Sequence, residues 1–287
     1  MITVHGIARH GNAPTDVVRA FTAQVHPVFM LPPLAASVFG AVLANRVEPS
    51  LLALHLLAAF AALYTAHVKD GYVDFHVRGE DDDHPMTVLG CRVALLGASA
   101  VFFACALALG VLVGPVATLL TLPGWVVGYL HAPQLDLHPV GATAGYPTGI
   151  AFALLGGHYV QAGAISPTVL AFAAVFLVVL SGIKTVDDAK DHGYDRSIGK
   201  RTVAVVLGPR AARTAAYGLM TAGMGAVVVL ALAGVFPPSS VGAVAVFAVV
   251  AGVAYRAEPS LATKLLIRGS YLFLAALVAA VWFRPLG

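Results

Sequence analysis

Residues 168–195 read TVLAFAAVFLVVLSGIKTVDDAKDHGYD, an apolar run that passes directly into a string of charged residues. Apolar runs of about 20 residues with few charges are typical of membrane-spanning helices. The chain contains nine such runs, at roughly 27–45, 50–68, 87–112, 114–131, 146–163, 166–184, 211–233, 239–256 and 266–283. Its composition agrees, because only 11% of residues are charged, whereas a soluble domain carries about 25%. We therefore predict an all-α integral membrane protein with a bundle of nine transmembrane helices over residues 27–287.

The N-terminal 26 residues are too polar for the apolar region of a signal peptide, and we predict that residues 1–26 form an amphipathic arm on the membrane. This arm and the 2–3, 6–7 and 8–9 connections, with their helix ends, hold 15 of the 17 Lys and Arg residues. Basic residues concentrate on the cytoplasmic side of membrane proteins. We therefore expect a multi-pass protein of the cell membrane, with the N-terminus and these connections in the cytoplasm.

The charged end of the opening stretch has an earlier near copy. The segment KDHGYD at 190–195 resembles KDGYVD at 69–74, and both contain Asp-x-x-x-Asp: Asp70 with Asp74, and Asp191 with Asp195. This spacing places each pair on one face of a helix, where like charges repel, so a helix gains no stability from it. Carboxylates at the rim of an apolar bundle are costly and mark a functional site by default.

Three interpretations of these aspartates compete: a solvated helix end, an ion pathway and a site for divalent metal. A solvated end does not explain the repeated spacing, and an ion pathway requires acids near the bilayer midplane, where the sequence has almost none. Mg²⁺ prefers carboxylate oxygens and commonly bridges them to a substrate phosphate. We therefore favour a magnesium site for a diphosphate, with Asp187 as a further ligand. Basic residues beside the aspartates suit the same anion, namely Lys69, Arg78, Lys190, Arg196 and Lys200.

Other phosphate and metal sites are not expected. The chain lacks the Walker pattern of nucleotide-binding loops, because SIGKRT at 197–202 contains one glycine in the wrong setting. None of the 11 histidines forms an H-x-x-x-H pair, and the two cysteines do not lie among them in a zinc-site spacing. Zinc is therefore not expected, and neither is a nucleic-acid partner.

The nine apolar runs, the two aspartate motifs and the segment DHGYDRSIGKRTVAVVLG at 191–208 together resemble the UbiA superfamily of intramembrane prenyltransferases. The resemblance covers essentially the whole chain. It implies a UbiA-like fold and an enzyme that binds a polyprenyl diphosphate through two or more Mg²⁺ ions. It also implies transfer of the prenyl group to a lipophilic acceptor within the membrane lipid. The metal-binding and catalytic residues implied are Asp70, Asp74, Asp191 and Asp195.

Two short segments are similar to the menaquinone branch of that superfamily, which prenylates 1,4-dihydroxy-2-naphthoate. They are YLHAPQLDL at 129–137 and GGHYVQAG at 156–163. The resemblance implies prenyl or acceptor contacts from four tyrosines: Tyr72, Tyr129, Tyr159 and Tyr194. A carotenoid acceptor, internal cyclisation of a terpene and an ion-coupled transporter stay open as alternatives.

The chain departs from the family pattern at Asp70, which stands where the first motif usually begins with asparagine, and at two further charged positions. Arg78 stands where the first motif commonly has a third aspartate, and Asp136 stands where a basic residue is often found. Asp136 is expected to repel a diphosphate. The acidic loop GEDDDHP at 79–85 is interpreted as a cap that closes over the site, or alternatively as a solvated loop.

Overall fold

The computed structural model describes residues 6–283, and the regular structure of these residues is helical, apart from one β-bridge between Ala8 and Met86. In chain order the α-helices are α1 (Pro14–Thr22), α2 (Pro27–Leu43), α3 (Pro49–Gly71), α4 (Val88–Leu112), α5 (Pro115–Leu130), α6 (Pro139–Ala162), α7 (Pro167–Lys190), α8 (His192–Ser197), α9 (Val203–Leu207), α10 (Pro209–Leu232), α11 (Val241–Arg256) and α12 (Pro259–Phe283). A π-helical turn, Tyr72–Arg78, follows α3, and 3₁₀ turns lie at Leu135–Leu137 and Pro238–Ser240.

Each predicted apolar run coincides with one of the long helices α2 to α7 and α10 to α12. Within residues 6–283, six helical regions are both long and apolar enough to cross a membrane: Pro49–Arg78, Val88–Leu112, Pro167–Lys190, Pro209–Leu232, Pro238–Arg256 and Pro259–Phe283. A seventh is obtained if α1 and α2, which meet at a bend of 64°, are taken as one span. The chain is thus a multi-pass membrane protein, and the count of nine spans stays a prediction.

Proline determines where most of these helices begin. In the described chain, α1, α2, α3, α5, α6, α7, α10 and α12 all start at a proline. The first residue of a helix has no intrahelical partner for its amide, so a missing N–H costs nothing there, and the fixed φ of proline already suits a helix. The prolines between the apolar runs therefore set the helix boundaries.

Helix α7 lies at the centre of the bundle. In its most apolar stretch 61% of residues are buried, against 22–33% in the other five regions that meet the membrane criteria. Its phenylalanines Phe172 and Phe176 pack against Phe39 of α2, and Phe176 also packs against Phe273 of α12. The central position of α7 places its C-terminal aspartates inside the ring of helices.

Helices α2 and α6 cross at two glycines. A Cβ atom on Gly40 would lie 2.1 Å from the carbonyl oxygen of Leu154, and a Cβ on Gly157 would lie 2.2 Å from the carbonyl oxygen of Ser37. Small residues let helix backbones approach closely in membrane proteins, where packing rather than water exclusion drives association. The crossing therefore depends on glycine at both positions.

We expect Gly157→Ala to lower the free energy of unfolding by about 1–3 kcal/mol, because overpacking forces the two backbones apart. The thermal midpoint of the purified protein in detergent is the measurement. Gly218→Ala in α10 is the matched control, since a Cβ there meets nothing within 4 Å. Equal midpoints for the two variants would contradict the close crossing.

Two prolines inside α2 leave two backbone carbonyls without an intrahelical donor, and two tyrosine hydroxyls donate hydrogen bonds to these carbonyls instead. Because Pro32 and Pro33 have no N–H, the carbonyls of Val28 and Phe29 lose their intrahelical donors. The hydroxyl of Tyr146 in α6 donates to Phe29 O at 2.7 Å, and that of Tyr271 in α12 donates to Val28 O. An unsatisfied carbonyl is expensive in a membrane, so these tyrosines fix α2 between α6 and α12.

The described part of the N-terminal arm packs against one end of the bundle. Its residues Ile7 and Ala8 share a buried cluster with Met86 and Cys91. Backbone hydrogen bonds from Arg9 N to Pro85 O and from Thr87 N to Ile7 O, both 2.9 Å, join it to the loop before α4. The boundary at residue 26 and the position of the arm on the membrane stay predictions.

Candidate active site

A cavity of about 640 Å³ lies among the helices, with walls from α2 to α7 and from α12. Most of its wall is apolar and includes Leu63, Phe102, Leu120, Val127, Ile150 and Leu180. The volume falls within the range of about 300–1,000 Å³ that is usual for ligand sites. The cavity is therefore suited to a ligand with a large apolar part.

The aspartates of both motifs line this same cavity. All five predicted metal ligands line the cavity, namely Asp70, Asp74, Asp187, Asp191 and Asp195. Asp188, which the sequence analysis did not select, also lines it. Two segments far apart in the sequence thus bring their carboxylates to one place. The expectation that the two motifs act together is consistent with this arrangement.

Both aspartate motifs lie at the ends of long helices, where one helical element passes into the next. Asp70 lies in the last turn of α3, but Asp74 lies in the π-helical turn that follows. Asp191 separates α7 from α8, with φ −98° and ψ 10°, and Asp195 lies on α8. Each pair therefore spans a change of helical element, from α3 to the π-helical turn in the first motif and from α7 to α8 in the second. The i to i+4 relation is kept in the second motif, where the Asp195 N–H donates to the Asp191 carbonyl at 2.9 Å.

The surroundings of the aspartates disfavour their charged form, as the raised pKa of the Asp195 carboxyl shows. Burial, followed by the nearby charge of Asp188, raises the pKa of the Asp195 carboxyl to about 6. A cluster of buried carboxylates is costly unless a cation neutralises it. Hard carboxylate oxygens are the ligands that Mg²⁺ prefers, so the donor set of this cluster fits magnesium.

A lysine inside the cavity partly neutralises the second group of aspartates. Lys184 lies one turn before Asp188 on α7, and its Nζ contacts Asp188 and, at 3.3 Å, Asp187. Asp188 is 3% exposed and also accepts from the Thr143 hydroxyl at 3.4 Å. The sequence analysis did not select Lys184, although its i+3 and i+4 spacing to the two aspartates is the signal that predicts this contact.

A second network covers the same end of the bundle, and Arg78 is at its centre. The guanidinium of Arg78 lies 3.2 Å from Asp136, 3.4 Å from Asp74 and 3.4 Å from Glu80. Two of the charged positions that depart from the family pattern, Arg78 and Asp136, are therefore partners of each other. The charge of Asp136 is balanced by this contact.

Glu80 connects the acidic loop to the second motif. Lys200 Nζ lies 3.9 Å from Glu80, and the hydroxyl of Tyr194 donates to Glu80 at 3.1 Å. The backbone N–H of Arg201 donates to the carbonyl of Asp136 at 2.8 Å. The loops that carry the two motifs and the loop after α5 thus form one connected layer.

The remaining predicted residues occupy varied positions. Lys190 is exposed and pairs with Asp191 at 2.9 Å and with Asp187 at 3.5 Å. The Nζ atom of Lys69 lies 4.2 Å from the centre of the Tyr129 ring. Arg196 is exposed. Among the basic and tyrosine residues predicted to contact substrate, Lys200 lines the cavity.

The other two predicted tyrosines lie in apolar clusters. Tyr72 packs against the buried group that contains Ile7 and Met86. Tyr159 packs against Leu109 and Val160. Neither is among the residues that line the cavity in the described chain, so a direct substrate contact from either would require movement.

Five histidines line the cavity in the described chain, and the sequence analysis selected none of them: His26, His55, His67, His84 and His131. The rings of His26 and His67 stack with centroids 4.7 Å apart. His67 precedes Asp70 by three residues and Asp74 by seven, which is the spacing of neighbours on one helical face. That spacing was the available signal for His67, whereas His26 and His131 come from other helices.

The family of the chain follows from comparison with protein-family models. The model described as the UbiA prenyltransferase family matches residues 30–277. The chain belongs to the UbiA prenyltransferase family. It is therefore a prenyltransferase, and the UbiA-like fold expected from the resemblance is confirmed. A comparison with curated proteins gave no match.

Solved structures of other UbiA proteins share this fold. A UbiA homologue from Archaeoglobus fulgidus bound to GPP and Mg²⁺ is 17% identical, with a TM-score of 0.71 over 93% of this chain and 99% of that one. A UbiA homologue from Aeropyrum pernix K1, in its apo form, is 18% identical, with a TM-score of 0.70 over 88% and 97%. A digeranylgeranylglyceryl phosphate synthase is 11% identical, with a TM-score of 0.73 over 94% and 98%.

Proposed function

We propose that this UbiA-family enzyme transfers a prenyl group from a polyprenyl diphosphate to a lipophilic acceptor, with Mg²⁺ as cofactor. The observation that carries the proposal is the division of one cavity into two chemical parts. Aspartates of both motifs line one region, and apolar side chains line most of the rest. A prenyl diphosphate has the same two parts, an anion that takes metal and a hydrocarbon tail.

The residues that would hold the metal are the four aspartates of the two motifs, Asp70, Asp74, Asp191 and Asp195, together with Asp187. A set of this size suits two or more ions. The similar protein from Archaeoglobus fulgidus bound to GPP and Mg²⁺ supports the choice of ligand and ion. When bound, Mg²⁺ supplies the positive charge that stabilises a departing diphosphate.

The side chains of this protein would perform three tasks around that diphosphate. Lys200 lines the cavity, where it would pair with diphosphate oxygens. Lys190, Arg196, Lys69 and Arg78 are not among the lining residues and would add positive charge from further away. The apolar wall would hold the prenyl tail and exclude water, which would otherwise capture the allylic cation. After the new bond to the acceptor forms, a proton must leave the acceptor.

For the acceptor we propose a quinone-precursor aromatic such as 1,4-dihydroxy-2-naphthoate. The support is the similarity of residues 129–137 and 156–163 to the menaquinone branch. We further propose that the enzyme lies in the cell membrane with the N-terminus and both aspartate motifs in the cytoplasm, as the distribution of basic residues favours.

The test follows diphosphate release by the purified protein from geranylgeranyl diphosphate, with and without 1,4-dihydroxy-2-naphthoate. We expect release that depends on this acceptor, is lost on addition of EDTA and returns with excess Mg²⁺. Release without any acceptor would contradict the aromatic acceptor and favour cyclisation. Metal-dependent transfer to a carotenoid alone would contradict only the acceptor. Release that persists in EDTA would contradict the magnesium-dependent reaction itself.

A further inference from the structure

Two histidines and a cysteine meet beside the first aspartate motif, and one of them, His84, also lines the cavity. His76 lies on the π-helical turn, His84 in the loop before α4, and Cys91 in the first turn of α4. One ligand atom from each lies within 4.8 Å of the other two. His84 is 3% exposed and Cys91 is fully buried. From the sequence, no grouping of histidine with cysteine was expected, and that expectation is wrong because the loop 79–87 folds back onto α4.

The polar atoms of this cluster converge on a single backbone group. Nε2 of His76 and Nδ1 of His84 lie 3.1 and 3.0 Å from the carbonyl oxygen of Met86. The Sγ atom of Cys91 lies 4.0 Å from His84 Nδ1. Two imidazole nitrogens, a thiol and a carbonyl oxygen thus surround one small volume. The Met86 N–H donates to Nδ1 of His84 at 3.2 Å, so this nitrogen carries a lone pair on the side of the cluster. The other nitrogen, Nε2, is buried with no partner among the described residues.

We propose that His76, His84 and Cys91 form a second metal site, for a zinc-class transition metal ion and not for magnesium. Thiolate and imidazole are the ligands that select zinc and its neighbours, whereas Mg²⁺ requires oxygen. The carbonyl oxygen of Met86, or a water in its place, completes four-coordination. On binding, the Cys91 thiol loses its proton to solvent and the thiolate sulfur bonds the metal.

The geometry requires only a small closure. Zinc at its usual bond lengths, about 2.0–2.1 Å to nitrogen and 2.3 Å to sulfur, draws tetrahedral ligands to within about 3.4–3.7 Å of one another. The ligand atoms, now within 4.8 Å, reach this separation by rotation of side chains. The nearby positive charge of Arg9 does not oppose the ion, because its guanidinium is paired with Asp83 at 3.0 Å.

The metal site would stabilise the connected layer of loops that carries the two aspartate motifs. His76 follows the predicted magnesium ligand Asp74 by two residues, and the loop that carries His84 also carries Glu80, the partner of Lys200 and Tyr194. A metal bound here would join the π-helical turn, this loop and α4. It would therefore be structural, and it would hold the first motif in place beside the part of the cavity wall that His84 forms.

The test uses Co²⁺ as a spectroscopic probe on the full-length protein in detergent, with millimolar Mg²⁺ present to occupy the carboxylates. We expect one equivalent of Co²⁺ to produce a near-ultraviolet thiolate-to-cobalt charge-transfer band, which Zn²⁺ removes and further Mg²⁺ does not. Cys91→Ser should lose the band. Cys105→Ser should keep it, because Cys105 is a buried cysteine further along the same helix and outside the cluster.

A second variant keeps the test decisive if Cys91→Ser does not fold, as judged by its thermal midpoint without metal. His84→Gln retains the thiol and should weaken Co²⁺ binding by at least about 10-fold, since even outer-shell substitutions cost 10–100-fold. Four results would overturn the proposal: no charge-transfer band in the unmodified protein, a band that survives Cys91→Ser, a band lost in Cys105→Ser, or unchanged affinity in His84→Gln.

Discussion

Replacement of Asp191 by asparagine is expected to reduce the rate of prenyl transfer by at least about 100-fold, a loss typical for removal of one group that stabilises developing charge. The substitution keeps the shape of the side chain and removes one negative charge from the cluster around Asp187 and Asp195. In the proposed mechanism that charge holds Mg²⁺ against the departing diphosphate. The concentration of Mg²⁺ needed for half-maximal activity should rise at the same time.

Diphosphate release from geranylgeranyl diphosphate, measured across a magnesium titration, checks this expectation. Glu258→Gln is the matched control, because it also removes one carboxylate but lies exposed at the start of α12, away from the cavity. We expect the control to keep full activity. If Asp191→Asn retained activity within tenfold of the unmodified enzyme with unchanged magnesium dependence, the assignment of Asp191 as a metal ligand would be wrong.

Replacement of Lys184 by methionine is expected to destabilise the fold by about 3 kcal/mol, the lower end of the cost of breaking a buried ion pair. We expect the lower end of this energy range because the Lys184 side chain is 29% exposed, so the ion pair is only partly buried. The side chain of its partner Asp188 is 3% exposed. Removal of the ammonium leaves the Asp188 carboxylate buried, with Thr143 as its only other hydrogen-bond partner in the described chain.

The double variant Lys184→Met/Asp188→Asn separates this effect from simple loss of packing. Because the second substitution removes the unpaired charge, we expect it to restore most of the thermal midpoint lost in Lys184→Met. Lys190→Met serves as the control for a lysine on the same helix, since Lys190 is exposed and its ion pairs are at the surface. A double variant no more stable than Lys184→Met would contradict the charge argument.

The helical architecture was predictable from the sequence because the lipid environment requires long apolar helices, and such runs are visible in composition alone. The prolines at the starts of α2, α3, α7 and α10 mark the boundaries of those runs. The early start of α6 at Pro139 was not predicted. Its first turns carry Gly141, Thr143 and Gly145, which lower the hydropathy although the segment is helical.

The aspartates of the site were predictable because their repeated spacing has no structural benefit. Their neighbours were harder to select, since contacts such as Arg78 with Asp136 join residues from different helices. Arg78 and Asp136 each depart from the family pattern, but neither departure alone indicates an ion pair. Likewise, the grouping of His76 and His84 with Cys91 depends on the return of the loop 79–87, which no local spacing reports.

The tyrosine hydroxyls that occupy the carbonyls freed by Pro32 and Pro33 have a consequence for biosynthesis. Helix α2 is made early, but the partners of its Phe29 and Val28 carbonyls are Tyr146 and Tyr271, which emerge from the ribosome later. Domains made during translation tend to fold from the N-terminus onward. Here α2 cannot complete its backbone pairing until the much later helix Pro259–Phe283 has been inserted. A nascent chain stalled before Tyr271 would therefore leave the Val28 carbonyl without this partner.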